Sequence, residues 1–169
     1  MRAERFRWLA GLIAAHPERK LVGRTRLQKE MWILQRLGMP SGYSFRMHYY
    51  GPYSEGIQAE LNLLERFGLV KEGREQTCQE SGFCSVFVAS KEAIFDPISE
   101  DYRRQVDQLA REDAIVLELA ATYDMYRSRG LPHEKAIGFL KVKKGDKISG
   151  GRDTNALALL GELGLPSSP

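Results

Sequence analysis

Apolar residues recur at helical spacing in the first part of the chain and predict two helices. The first covers about residues 3 to 16 and ends at Pro17, whose ring cannot continue a helix. The second opens at Thr25 and ends at Gly38, a residue suited to the left-handed conformation beyond a helix. Thr25 followed by Gln28 also has the pattern of a capping box, in which the two side chains satisfy free backbone amides reciprocally. The apolar positions of these helices are Phe6, Leu9, Ala10 and Ile13, then Leu27, Met31, Leu34 and Leu37.

Between residues 39 and 53 the apolar period changes from helical to alternating, which predicts a short strand or an extended hairpin. Gly51-Pro52 ends this segment, and Ser54 is placed to cap a third helix. The alternating residues are Tyr43, Phe45, Met47 and Tyr49, and the buried stripe of the third helix is Ile57, Leu61, Leu64 and Phe67.

Two strands over residues 69 to 71 and 83 to 90, joined by a polar loop, complete the element order of the winged-helix family of helix-turn-helix modules. The connection between the second and third helices is longer than the ~3–4 residues of a plain helix-turn-helix. After Asp96-Pro97 the pattern is helical over about residues 99 to 110, 113 to 128, 132 to 143 and 154 to 163. We therefore predict an α+β, mostly helical protein with a winged-helix-like module over residues 1–95 and a helical C-terminal extension over residues 97–169.

The composition is that of an ordinary globular protein, with 43% hydrophobic residues in a chain of 169. The longest apolar run, Trp8 to Ala15, is too short to cross a bilayer. The basic residues before it could suggest a signal peptide, but Glu4 interrupts them. We interpret this run as a core helix and expect a cytoplasmic protein that does not enter a membrane. Two cysteines, Cys78 and Cys84, are too few for a secreted disulfide framework, so we expect free thiols.

Charge is distributed unevenly along a chain whose net charge is only +3. Residues 1–50 carry ten Lys and Arg against three acids, whereas residues 51–100 carry four against nine. This asymmetry permits a basic face on or beside the second helix, where phosphates could bind. The basic residues concentrated there are Arg19, Lys20, Arg24, Arg26, Lys29 and Arg36.

Nucleic-acid binding is the leading hypothesis for this basic face, with Arg24, Arg26 and Lys29 on phosphates. The third helix would enter the major groove, and its outward Gln58, Asn62 and Arg66 could pair with adenine or guanine. The net negative charge of the same helix disfavours contact with DNA phosphates, because its acidic side chains outnumber its single basic side chain. These acids are Glu55, Glu60 and Glu65. An ordinary solvated polar face explains the same residues.

A protein partner is the alternative hypothesis. Aromatic residues concentrate between Tyr43 and Tyr53, and alternation exposes about half of them to a partner or to bases. The competing interpretation is that these rings only join the inserted strand to the core. The residues expected at a protein interface are Tyr49, Tyr50, Tyr53 and, from the acidic third helix, Glu60.

No constellation predicts catalysis, a metal or a cofactor. His16, His48 and His133 are far apart in sequence, and His133-Glu134 lacks the second histidine of a zinc helix. Neither Ser nor Cys lies in a nucleophile motif. A second basic cluster lacks the spacing of a P-loop; a solvated loop is the preferred interpretation, and contact with phosphate or nucleic acid is the alternative. The cluster consists of Lys141, Lys143, Lys144, Lys147 and Arg152. We expect no enzymatic activity.

Four segments carry a family resemblance: Gly23 to Lys29, Tyr43 to Phe45, His48 to Ser54, and Leu64 to Val70. Over about residues 20 to 72 they resemble the YwgA-like proteins of bacteria and archaea, and more distantly the Panacea (SocA-like) domain. The resemblance implies a winged-helix-like fold of poorly defined activity. Panacea domains are associated with toxin neutralisation and with delivery of partners to proteases. Arg26 and Glu30 depart from the Lys-Leu-Gln-Lys helix of that domain.

The expected function is therefore that of a non-enzymatic regulatory or adaptor protein. Nucleic-acid binding through the basic surface is the first hypothesis, and a protein-interaction module, antitoxin-like or protease-adaptor-like, is the alternative. A homodimer through the C-terminal helices is compatible with both.

Overall fold

The computed structural model describes residues 2–76, 82–91, 98 and 100–168 of the chain. It is an α+β protein in which helices predominate, as predicted. The helices are α1 Arg2–Ala15, α2 Arg24–Arg36, α3 Glu55–Arg66, α4 Glu100–Arg111, α5 Ala114–Ser128, α6 His133–Lys144 and α7 Arg152–Glu162. The strands are β1 Lys20–Val22, β2 Arg46–His48, β3 Gly51–Tyr53, β4 Val70–Gln76 and β5 Phe83–Ala89.

Two antiparallel sheets lie among the helices. β2 and β3 form the expected hairpin, with Met47 opposite Pro52. β4 and β5 pair from Val70 opposite Ala89 to Gln76 opposite Phe83, so β4 continues into residues that the sequence assigned to a loop. Residues 77 to 81 of that predicted loop lie outside the described part of the chain.

β1 is a strand that the apolar pattern did not predict. It has three residues and lies at the edge of a sheet in the order β1-β5-β4. Leu21 of β1 is fully buried opposite Phe87. Three residues are too few for an alternating period to be recognised, and the partner strand lies far along the chain.

The predicted capping box at Thr25 was wrong. α2 begins one residue earlier, at Arg24, so Thr25 lies inside the helix, and the N-cap residue is Gly23, which makes no side-chain capping hydrogen bond. The Gln28 side chain instead binds both backbone groups of Ser54, donating to its carbonyl at 3.0 Å and accepting from its amide at 2.8 Å. Ser54 is the N-cap residue of α3, although its hydroxyl makes no capping hydrogen bond. Gln28 therefore ties the middle of α2 to the start of α3.

α5 is the central helix of the core. All its side chains from Val116 to Met125 are buried, and it packs against α2, α6, α7 and β3. Trp32 Nε1 and Arg36 Nε both donate to Asp124 Oδ2 at 2.9 Å. Burial raises the pKa of Asp124, and the hydrogen bonds from Arg36 and Trp32 oppose that rise. The C-terminal helices thus share one core with the N-terminal elements.

The predicted boundary at residues 96–97 lies outside the described residues, so the division into domains 1–95 and 97–169 stays a prediction. Within the part that the structure describes, no helix is both long enough and apolar enough to cross a membrane.

Candidate functional site

Arg26 does not lie on the basic face that the sequence predicted, and its predicted role as a phosphate contact is corrected. Its side chain is 14% exposed, and its guanidinium donates to the carbonyls of Leu109 at 2.9 Å and Glu112 at 2.6 Å. It also binds Glu30 at 3.0 Å, a fully buried residue whose second oxygen contacts His16 Nε2 at 2.6 Å. Arg26 holds α2 against the end of α4, which leaves it unsuited to bind phosphate.

Lys29 is likewise internal, which corrects its predicted position on the basic face. It is 2% exposed, and its ammonium donates to the Pro52 carbonyl at 2.6 Å. Burial lowers the pKa of Lys29 to about 7, although the nearby Glu118 carboxylate acts in the opposite direction. β3 covers this side chain. The sequence predicts a strand or hairpin there but does not indicate that it packs against α2.

Arg24 remains at the surface but is engaged by its neighbours. It binds both carboxylate oxygens of Glu72, at 2.5 and 2.7 Å, and the hydroxyl of Ser85 at 3.1 Å. It also donates to the Gln58 side chain, which in turn donates to Asn62 at 3.2 Å. The structure therefore brings together Arg24, Gln58 and Asn62 from the two predicted sets, whereas Arg66 is exposed at the far end of α3.

A cavity of about 200 Å³ opens between α2, the β2–β3 hairpin and α3. We call it the lysine pocket, because the buried Lys29 side chain lines it. The pocket joins residues from both predicted sites, since cations and amides meet aromatic rings there. Besides Lys29, its polar and aromatic lining is Arg24, Thr25, Gln28, His48, Tyr50, Tyr53 and Gln58.

Two further lysines lie behind the wall of the lysine pocket. Lys144 is buried and donates to Glu118 at 2.8 Å and to the Tyr49 carbonyl at 3.1 Å. Lys147 binds the same carboxylate at 2.8 Å, and its ammonium lies 4.9 Å from the centre of the Tyr50 ring. The sequence assigned both lysines to a solvated loop. That interpretation fails for Lys144, because α5 and the hairpin enclose it.

The pH dependence of stability should report the buried ammonium of Lys29. Below about pH 7 it is charged in both folded and unfolded states, and above its ordinary value of 10.5 it is neutral in both. Between these limits the unfolded state binds more protons, so stability rises with pH and is lost as pH falls. We expect a gain of about 1 kcal/mol per pH unit for the wild type relative to Lys29→Met. Urea unfolding of both proteins at pH values from about 7.5 to 9.5 measures this gain. If the free energies of unfolding of the two proteins changed in parallel with pH, the lowered pKa of Lys29 would be contradicted.

A second concave surface lies between α1 and α3, on a different side of α3. We call it the α1–α3 groove. Its volume is about 360 Å³. Leu63 and Phe67 along its wall are 46% and 74% exposed. It is lined by Arg5, Phe6, Gly56, Ala59, Glu60, Leu63, Leu64 and Phe67.

The exposure of Phe67 corrects the sequence interpretation, which placed it in the buried stripe of α3. Phe67 is the C-cap residue, one position beyond the last helical residue. Its side chain lies on a different face of α3 from the buried side chains of Ile57 and Leu64, and this face borders the groove. Ala59, Leu63 and Phe67 form a second apolar row at four-residue spacing, a signal present in the sequence that pattern reading merged with the core stripe.

The predicted partner-binding residues are divided between the two surfaces. Glu60 lines the α1–α3 groove but is only 8% exposed, and it accepts a hydrogen bond from the Tyr43 hydroxyl. Burial and this bond raise the pKa of Tyr43. Glu60 is thus not the exposed acid that the sequence predicted. Tyr49 and Tyr50 are exposed and lie edge to face, whereas Tyr53 packs beside His48 near the lysine pocket.

Among the described residues, no three or more His, Cys, Asp or Glu side chains are grouped so that they could hold a metal ion. The non-enzymatic character expected from the sequence stays a prediction.

The class defined so far is a mostly helical α+β protein with a pocket and a groove on different sides of one helix. No family model matches the chain. The chain is similar to the uncharacterised protein YwgA of Bacillus subtilis (strain 168), with 24% identity over 147 residues. The alignment covers 85% of this chain and 88% of YwgA. The similarity therefore extends beyond residues 20 to 72 into the C-terminal helices.

Proposed function

We propose that this YwgA-like chain is a non-enzymatic adaptor or regulator that binds an amphipathic helix of a partner protein in the α1–α3 groove. The observation that carries the proposal is the exposed row of Ala59, Leu63 and Phe67 beside an open groove. In this proposal the N-terminal elements act as a winged-helix-like module in the cytoplasm, and α3 faces a protein.

The apolar character of the groove supports a helical partner. Phe6 and Leu64 lie at its base, and Leu63 and Phe67 extend from its wall. Single exposed apolar residues are common on protein surfaces, whereas a contiguous row of them beside a concavity is typical of interaction surfaces. A helix laid in such a groove would present apolar anchors at i, i+3, i+4 and i+7.

Charges at the rim indicate the chemistry of the partner. Arg5 lines the groove from α1, and Arg66 is exposed at the last residue of α3, just outside the lining. Neither arginine forms an ion pair with a carboxylate of the described residues. Carboxylates flanking the apolar face of a partner helix would complement them and favour its association. We therefore propose an acidic amphipathic helix as the occupant.

Nucleic-acid binding has less support from the same geometry. Arg26 and Lys29 make internal contacts, and the bidentate partner of Arg24 is Glu72. On the exposed side of α3, Glu55 and Glu65 accompany Arg66. Mixed charge of this kind does not attract a phosphate backbone as a continuous basic band does. The resemblance to Panacea domains, with their protein partners, favours the same choice.

The test is a photocrosslinking amino acid placed at Leu63 in the cells that contain the protein, with Val142 as the matched control site. Val142 is an apolar residue that is 86% exposed on α6, away from the groove. We expect position 63, and not position 142, to crosslink one protein through an acidic amphipathic helix. Leu63→Asp should lower the affinity of the purified pair at least tenfold, and Val142→Asp should leave it unchanged.

Three results would overturn the proposal. The first is equal crosslinking at both sites, and the second is a crosslinked partner whose affinity survives Leu63→Asp. The third is salt-dependent binding of duplex DNA that is lost in Arg66→Ala but kept in Leu63→Asp, which would assign the surface to nucleic acid.

A further inference from the structure

We propose that the lysine pocket binds a small aromatic acid, a single planar ring that bears one carboxylate, with Lys29 as the residue that pairs with the carboxylate. This site is separate from the α1–α3 groove and does not depend on the protein partner. Charge, shape and unused hydrogen-bonding capacity each contribute to the inference.

The charge around the pocket is unbalanced. Lys29, Lys144 and Lys147 lie close enough to interact electrostatically, and Glu118 is the acid that acts on Lys29. Both Lys144 and Lys147 bind directly to Glu118, whereas Lys29 binds a neutral carbonyl, that of Pro52. Burying a cation without a matching anion is unfavourable. One further negative charge beside Lys29 would relieve the imbalance.

The shape and lining of the pocket fit one ring. Its volume of about 200 Å³ is below the ~300 Å³ at which drug-sized sites begin. It exceeds the ~150 Å³ that accommodates benzene in an apolar cavity. His48, Tyr50 and Tyr53 line one side and Ile57 and Leu61 another, so a planar apolar body would contact rings and aliphatic carbons.

The pocket also offers hydrogen-bond donors to an acid group. An ammonium has three donors, and among the described residues Lys29 uses one of them, on Pro52. Arg24 lies at the pocket rim, although Glu72 engages it. The carboxylate of a ligand would therefore lie against Lys29, and its ring would point toward the tyrosines.

A lysine buried in this way is more easily explained by function than by stability. Methionine has a similar length and no charge to desolvate, so it would fill the same space without the buried charge. Burial also lowers the pKa of Lys29, a property that concentrates at functional sites. A buried ammonium that lines a cavity and binds a neutral carbonyl is expected where a ligand supplies the matching negative charge.

The experiment titrates the full chain at pH 6.5 with benzoate, benzyl alcohol and inorganic phosphate, and follows binding by calorimetry and by the NMR signals of the pocket residues. We expect benzoate to bind and to shift signals of Tyr50 and Tyr53. Benzyl alcohol, which lacks the charge, and phosphate, which lacks the ring, should each bind at least tenfold more weakly. Lys29→Met should lower benzoate affinity at least tenfold.

The matched control is Lys141→Met, which removes an exposed lysine from the same helix as Lys144 and should leave benzoate binding unchanged. Tyr50→Ala is the second variant, because Tyr50 is 46% exposed and its loss should weaken binding without unfolding the chain. Benzoate that fails to bind, that binds equally to Lys29→Met, or that binds no better than benzyl alcohol or phosphate would overturn the proposal.

Discussion

Replacing Glu30 by alanine is expected to lower the free energy of unfolding by about 3–5 kcal/mol, the range for removing one partner of a buried ion pair. Glu30 is 0% exposed, and its two oxygens bind His16 Nε2 at 2.6 Å and Arg26 at 3.0 Å. Without the carboxylate, the Arg26 guanidinium would keep only its two backbone carbonyl partners near the end of α4. A largely buried cation would then lack a compensating charge.

Urea unfolding at pH 7.5 measures the Glu30 effect as a shift of the transition midpoint. The control is Glu75→Ala, which removes the acid of an exposed pair with Lys20. Solvent screens that pair, so its midpoint should not move measurably. A Glu30→Ala midpoint as close to the wild type as that of Glu75→Ala would show that the buried network contributes nothing to stability.

Gly51→Ala is expected to destabilise the protein by about 3–5 kcal/mol, through backbone strain and a steric clash together. Gly51 has a φ of +91°, in a region that favours glycine. A Cβ at this position would lie 2.3 Å from Thr122 Oγ1. Thr122 is fully buried and donates to the Glu118 carbonyl within α5 at 2.6 Å, so it has little freedom to move. The β2–β3 hairpin would have to separate from α5.

Gly68→Ala separates the two causes. Gly68 has a φ of +68°, and a Cβ there would meet no atom within 4 Å. Its substitution should produce the strain alone, about 1–2 kcal/mol. The double variant Gly51→Ala with Thr122→Ala removes the clashing hydroxyl and should come closer to the value expected for strain. If Gly51→Ala costs no more than Gly68→Ala, the contact with α5 is looser than the structure indicates.

The helices were predictable because their signals are local. A period of 3.6 residues records which face of a helix is apolar, whatever covers that face. The fifth helix was expected over residues 113 to 128 and spans Ala114–Ser128. Asp113 lies just before it and accepts hydrogen bonds from the amides of Ile115 and Val116, a cap formed within four consecutive residues.

The surroundings of individual charged and aromatic side chains were not predictable. Lys29 and Arg26 are one turn apart on α2, and from the sequence both are predicted to lie on one exposed basic face. The hairpin containing Pro52 covers Lys29, and the end of α4 receives Arg26. The sequence of those covering elements does not indicate which helix they pack against. Burial depends on contacts between segments that are distant along the chain.

The same distinction separates the two surfaces. The Ala59, Leu63 and Phe67 row of the groove could have been found from its four-residue spacing on one helix. The lysine pocket could not, since Lys29, Tyr53 and Glu118 come from α2, β3 and α5 and share no sequence period. Local patterning therefore establishes which helices and strands form and where each is apolar. The ionisation and accessibility of residues such as Lys29 follow only from packing, because desolvation is produced by the atoms that surround a charge in three dimensions.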